Sequence, residues 1–193
     1  MLKNGEIVTA QPLGDVEKVE FRPPVGTLEA FNTSGGTSTL PETFRSRVKN
    51  LDYKTLRYPG HAAAMQWLLN LGLFSSEAVV IDGEKVVPRH LIADRIVATI
   101  PICQLDRSVV RVEFAGTQNG RQKTHRLEII DEYDQVSDLT SMMRMTSFPA
   151  AIISQMQCDG RLVAKGVLPQ EVAVDSDIFI RELVSRGVTI DGL

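Results

Sequence analysis

Apolar and polar residues alternate with a period of two early in the chain, the pattern of a strand with one buried face. The clearest run is Val16–Phe21, and Arg22–Pro23–Pro24 ends it. The stretch from Asn32 to Thr39 is small and polar, which predicts a loop. The strands predicted in this part of the chain, the first as half of a hairpin, are 5–8, 16–21, 27–31 and 51–58.

Helical spacing of apolar residues begins after Pro59–Gly60, where Met65, Leu68 and Leu69 share one predicted helix face. Gly72 is placed to end this helix, and Pro88 to begin the next. A later helix contains Pro149, which predicts a kink or an interruption. The predicted helices are 61–71, 88–100, 140–156 and 176–186, and a short strand is predicted at 188–190.

Two alternating runs, Ser108–Ala115 and Thr124–Ile130, flank Asn119–Gly120 and predict a β-hairpin. The order of elements is therefore strands, two helices, a hairpin and two helices. This order predicts an α+β (α/β) fold with a mixed, mostly antiparallel sheet and helices packed on one face. Neither G-x-G-x-x-G after a strand nor a P-loop occurs, so we expect no Rossmann domain in this chain. At 193 residues, we expect a single domain over 1–193.

Composition excludes several classes of protein. The 21 Lys and Arg and 24 Asp and Glu are interspersed, which argues against a nucleic-acid partner. No run approaches about 18 consecutive apolar residues, and the N-terminus has no apolar core, so we expect neither a membrane partner nor a signal peptide. Cys103 and Cys158 are expected to be small buried residues of a cytoplasmic protein. His90 and His125 lack companions at ligand spacing, so no metal site is predicted.

The most informative cluster for chemistry is Arg57–Tyr58–Pro59–Gly60–His61, which compresses a strand end, a turn and a helix start. The helix N-terminus attracts anions, and the guanidinium of Arg57 suits a carboxylate. His61 could donate to an anion or relay a proton. Together they would suit a small anionic substrate such as an amino acid. The alternative is that Arg57 pairs with a carboxylate at the core edge and His61 caps the helix.

Two other segments offer polar contacts. The loop residues Thr33, Ser34 and Gly35 could bind a carboxylate or a phosphate through backbone N–H groups, or form an ordinary polar turn. On the methionine-rich segment 140–146, Arg144 is a possible polar contact, although adaptable core packing is the alternative for that segment.

These residues occur in an order that resembles the second domain of saccharopine dehydrogenase-like enzymes, and most closely their lysine dehydrogenase branch. Asn32 stands where we expect an aromatic residue in that pattern. The segments that carry the resemblance are 28–31, 33–36, 38–41, 54–61, 141–152, 166–171 and 186–187.

The resemblance implies more than the residues alone. It implies a mixed sheet like that of the catalytic domain of glyceraldehyde-phosphate-type dehydrogenases, a homodimer, and an amino acid as the substrate. NAD or NADP would bind an N-terminal Rossmann domain, supplied in cis or in trans, and none is expected on this chain alone. The chain would then be the C-terminal half of an oxidoreductase acting on an amine carbon. The implied substrate-site residues are Arg57, Tyr58, Thr33, Ser34, Gly35 and Arg144, with His61 catalytic.

Two other interpretations of the sequence remain. The chain could be a stand-alone module that binds an amino acid or oligomerises without catalysis. It could also be a purely structural domain without a pocket.

Overall fold

The computed structural model describes residues 1–33 and 35–193, and the chain divides into two compact units. Unit 1 covers Met1–Pro101 and unit 2 covers Ile102–Leu193. Ser34, one of the predicted substrate contacts, lies outside the described residues.

The described residues of unit 1 form seven short strands and three helices. In chain order they are β1 (Leu2–Lys3), β2 (Glu6–Ile7), β3 (Glu17–Glu20), β4 (Thr27–Asn32), α1 (Leu40–Phe44), β5 (Lys54–Arg57), α2 (His61–Asn70), β6 (Val79–Ile81), β7 (Glu84–Val86) and α3 (Pro88–Thr99).

A three-stranded antiparallel sheet in the order β3-β4-β5 is the largest sheet of unit 1. The central strand β4 is also the most buried, and Leu28, Ala30 and Phe31 are each at most 4% exposed. A strand with neighbours on both edges has its backbone hydrogen bonds satisfied there, so it can be withdrawn from solvent. Strands β1 and β2, and β6 and β7, form separate two-stranded hairpins.

Sequence patterns located the helices of unit 1 better than its strands. The predicted helices at 61–71 and 88–100 are confirmed as α2 and α3. The strand predicted over 51–58 is only Lys54–Arg57, and the hairpin of β6 and β7 was missed. Its turn contains Asp82 and Gly83, both with positive φ, and Asp-Gly is a recognised hairpin signal that could have identified it.

Unit 2 consists, within its described residues, of one long hairpin and three helices. The elements are β8 (Arg107–Gln118), β9 (Arg121–Glu132), α4 (Ser141–Cys158), α5 (Gln170–Ala173) and α6 (Ser176–Ser185). As predicted, the hairpin turns at Asn119 and Gly120, whose φ angles of 53° and 75° allow this tight connection.

The core of unit 2 is formed by α4, α6 and the chain after α6. Ile152, Met156, Leu183 and Val188 are buried together, and Ile129 of β9 packs against them.

At the N-terminus of α4, backbone donors without a partner in the helix are satisfied by a side chain. Asp106 accepts hydrogen bonds from the Ser141 and Met142 N–H groups at 2.6 and 2.8 Å. The helix continues through Pro149, so of the two predicted alternatives, a kink or an interruption, the interruption is not observed.

Two smaller predictions for the second half of the chain are also wrong. Residues 188–190 form no strand, because Val188 is used in the core and only Asp191 makes a bridge, to Glu128 of β9. Cys103 and Cys158 are exposed rather than buried, Cys103 in an irregular segment and Cys158 at the last position of α4.

The predicted α+β class is confirmed. All strand pairs in the described parts of the chain are antiparallel, and they are distributed over four small sheets with no closed barrel and no Rossmann topology evident there. Among the described helices, none has both the length and the apolar composition needed to cross a bilayer.

Candidate functional site

One side of the three-stranded sheet in unit 1 collects several of the predicted site residues. The antiparallel register places Glu29 opposite Arg57, and Phe31 opposite Thr55. Directly opposed residues of an antiparallel pair lie on the same side of the sheet. We call this side, with Glu29, Phe31, Thr55 and Arg57, the α2 face. Thr33 extends it, since its hydroxyl lies 2.8 Å from the Thr55 hydroxyl.

The start of α2 brings His61 onto this face. Gly60 precedes the helix with φ 97°, a left-handed conformation in which a side chain would be strained. The His61 ring stacks on Phe31, with 6.1 Å between ring centroids and 13° between ring planes. His61 is therefore the first helical residue, held by an aromatic contact, and the expected alternative that it caps α2 is not observed.

Glu29 belongs to the candidate site on this face, but the sequence analysis did not single it out. Its Oε2 accepts a hydrogen bond from the Gly60 N–H at 3.1 Å, so a carboxylate lies against the N-terminus of α2. A negative charge is favourable there because the helix dipole places partial positive charge at that end. The alternating pattern of β4 could have predicted that Glu29 and Phe31 share one side of the sheet. The contact between Glu29 and Gly60 could not be predicted in this way, because 31 residues separate them in the chain.

Arg57 is exposed and has no carboxylate partner among the described residues. Its Nη1 donates to the carbonyl oxygen of Leu56 at 2.8 Å, and it forms no ion pair with any residue that the structure describes. The alternative expectation, a pair between Arg57 and a carboxylate at the core edge, is therefore wrong. The guanidinium remains available for an anion from outside the chain.

The loop after β4 contributes less clearly defined contacts. Gly35 has φ 82°, and a Cβ atom at the next residue, Gly36, would lie within 1.8 Å of the Tyr53 ring. This loop therefore needs small residues where it passes Tyr53. Tyr58, another predicted contact, is 59% exposed beside Arg57 in the chain.

Arg144 lies in unit 2 and is surrounded differently. Its guanidinium donates to both carboxylate oxygens of Asp131 at 3.1 and 3.2 Å, and to Asp134 at 3.3 Å. Arg144 and Asp131 are both buried. These contacts tie α4 to β9 and use the donors that a substrate would need, which supports a structural role for Arg144.

The described residues contain no group of three or more His, Cys, Asp or Glu side chains arranged to hold a metal ion. Near the start of α2, this face instead offers the guanidinium of Arg57, the carboxylate of Glu29, the hydroxyl groups of Thr33 and Thr55, and the imidazole of His61. Such groups can bind and orient a small polar molecule and can exchange a proton with it.

These features define an α+β protein in which one sheet face, beside a helix N-terminus, carries charged side chains that form no ion pair with each other among the described residues. A family model for the saccharopine dehydrogenase C-terminal domain matches residues 1–188. The chain belongs to this family.

Proposed function

We propose that this chain is the substrate-binding and dimerisation half of an NAD(P)-dependent dehydrogenase that acts on an amine carbon. Membership in the saccharopine dehydrogenase C-terminal domain family supports the general assignment. The motif around Lys54–His61 favours the lysine dehydrogenase branch, with lysine or saccharopine as the substrate. The protein would act as a homodimer.

The observation that carries the proposal is the state of Arg57. It is exposed, has no ion pair within the described residues, and shares the α2 face with Thr55 and His61. Arginine donates two parallel hydrogen bonds to a carboxylate, and every amino acid offers one. In this proposal Arg57 binds the substrate carboxylate, and His61 orients the substrate or moves a proton.

The strands that the structure describes lack the parallel arrangement that dinucleotide-binding folds use. Dinucleotides bind where parallel strands lead through glycine-rich turns into helices, and each strand pair described here is antiparallel. The NAD or NADP would therefore be held by a Rossmann domain in cis or in trans. We expect no turnover from this chain by itself.

Binding calorimetry of the chain with lysine and with saccharopine tests the proposal. We expect one of them to bind, and Arg57→Ala to weaken that binding about tenfold or more, since a hydrogen bond to a charged group contributes about 1.5–3 kcal/mol. Arg89→Ala removes an exposed arginine of α3 in the same unit and should leave the affinity unchanged.

Two results would contradict the proposal. The first is that neither amino acid gives heat at millimolar concentration, and the second is that binding of the one that does is insensitive to Arg57→Ala. If binding is confirmed, mixing the chain with the Rossmann half of a lysine dehydrogenase separates an enzyme from a non-catalytic binding module. Restored reduction of NAD or NADP supports the enzyme.

A further inference from the structure

The α2 face carries opposite charges that do not pair with each other. Across the sheet, Lys18 of β3, Glu29 of β4 and Arg57 of β5 occupy one row, because Glu29 lies opposite both cations in register. No ion pair joins Glu29 to either cation within the part of the chain that is described. Glu29 is instead held by the Gly60 N–H, and Arg57 by the Leu56 carbonyl oxygen.

The contact with Gly60 fixes where the carboxylate of Glu29 lies and leaves part of it available. An ionised carboxylate has two oxygens and about four acceptor sites, and the Gly60 N–H uses one of them. Glu29 is only partly buried, so a ligand can reach the others.

The pairing of β4 with β5 brings the side chains of Glu29 and Arg57 close enough for one α-amino acid to reach both. Directly opposed residues of an antiparallel pair have their Cβ atoms about 4.5–5.5 Å apart, so Glu29 and Arg57 can address neighbouring groups of one small molecule. The ammonium and carboxylate groups of an α-amino acid are attached to the same carbon atom. A simple carboxylic acid would satisfy Arg57 alone, and a simple amine would satisfy Glu29 alone.

We propose that Glu29 is a specificity-determining residue that binds the α-ammonium group of the amino acid whose carboxylate Arg57 binds. This inference rests on the proposed function and assigns the part of the substrate that the α2 face recognises. The reacting amine at the far end of a lysine side chain would then point away from the Glu29 and Arg57 pair.

The test compares three ligands that differ by one group. Lysine has all the groups, 6-aminohexanoate lacks the α-ammonium, and cadaverine lacks the carboxylate. On the unmodified chain we expect 6-aminohexanoate to bind at least tenfold more weakly than lysine. Equal affinities would overturn the inference without any substitution being made.

Two variants test whether Glu29 is responsible for the preference for lysine over 6-aminohexanoate. Glu29→Gln keeps an oxygen that can accept from the Gly60 N–H but removes the charge, and it should bring the affinities for lysine and 6-aminohexanoate within about threefold of each other. Glu20→Gln makes the same change of charge on β3, one row away on the same side of the sheet. This control should keep the tenfold preference for lysine.

The experiments distinguish a failure of this inference from a failure of the proposed function. If Glu29→Gln keeps the full preference for lysine while Arg57→Ala weakens both carboxylate ligands, Glu29 does not bind the ammonium and the proposed function stands. If lysine and saccharopine both fail to bind the unmodified chain, the proposed function itself is wrong.

Discussion

Arg57 and Arg144 show how the surroundings of a guanidinium decide its role. Arg57 is exposed and contacts a backbone carbonyl, so an incoming carboxylate need displace no ion pair of the described chain. Arg144 is buried against Asp131, and neither side chain is more than 9% exposed. Removing one partner of a buried pair leaves the other charge without compensation in a place that water cannot reach.

We therefore expect Arg144→Met to lower the free energy of unfolding by about 3–5 kcal/mol, because Asp131 would stay buried and unpaired. Arg126→Gln is the matched control, since Arg126 and Glu113 form a half-exposed pair that should contribute about 1 kcal/mol at most. Urea denaturation followed by circular dichroism measures both. Unchanged stability of Arg144→Met together with lost amino-acid binding would instead place Arg144 in the substrate site.

Arg57 and His61 could be proposed as members of the candidate site from sequence, because the strand end, the turn and the helix start are consecutive in the chain. Glu29 could not, since its contact with Gly60 depends on the pairing of β4 with β5. The burial of Arg144 could not be predicted from the sequence either, because it depends on how α4 packs on β9.

Helix boundaries in unit 2 are set by caps that are local in sequence. Asp175 precedes α6, and its carboxylate accepts from the Ile178 N–H at 3.0 Å. Thr140 caps α4 in the same way through the Met143 N–H at 3.0 Å. Each cap satisfies a backbone donor that has no partner within its helix.

Asp175→Ala should reduce the free energy of unfolding by about 1 kcal/mol, because the Ile178 N–H loses its acceptor. Asp175→Asn keeps a side-chain oxygen and should stay close to the unmodified chain. Thermal denaturation of the unmodified chain and of the two variants measures these differences in stability. Equal losses for Ala and Asn would mean that the charge, and not the hydrogen bond, is what stabilises α6.

Elements with local signals were predictable, and elements held by pairing alone were not. The helix predicted at 176–186 agrees with α6, because the apolar spacing within it and the cap Asp175 and Gly187 on either side of it are all local in sequence. The β8–β9 hairpin extends past both predicted strands, since Thr117 and Gln122 are polar but still paired through the backbone ladder. The helices α1 and α5 are too short to show a helical period.

At the scale of the whole chain, acid stability depends on carboxylates of unit 2. The hydrogen bond from Ser137 lowers the pKa of Asp134, and the hydrogen bond from Arg161 lowers the pKa of Asp159. Arg186 and then Arg161 lower the pKa of Glu182. A carboxyl whose pKa is lowered by folding stabilises the folded state above its unfolded pKa, and this contribution disappears as the pH falls through the folded value.

Unit 2 should therefore be most stable above about pH 4.5 and lose stability progressively below it. Glu182→Gln removes one of these carboxyls, so it should destabilise the chain at pH 7 and flatten the loss between pH 5 and pH 3. Glu77→Gln, at an exposed position of unit 1, serves as the control. The midpoint of urea denaturation, measured for each protein between pH 5 and pH 3, tests this expectation. If the midpoint of Glu182→Gln falls with pH as steeply as that of the unmodified chain, the lowered pKa of Glu182 does not explain the acid sensitivity.

The measurement that tests the central claim most directly is an NMR titration of the isotopically labelled chain with lysine and, separately, with saccharopine. If the α2 face binds the amino acid, the backbone amides of Glu29, Thr55, Arg57 and His61 should shift progressively and reach saturation together. The amides around Arg144 should not move. If neither amino acid shifts an amide of the α2 face, or if both shift only amides of unit 2, the assignment of this face as the substrate site is contradicted.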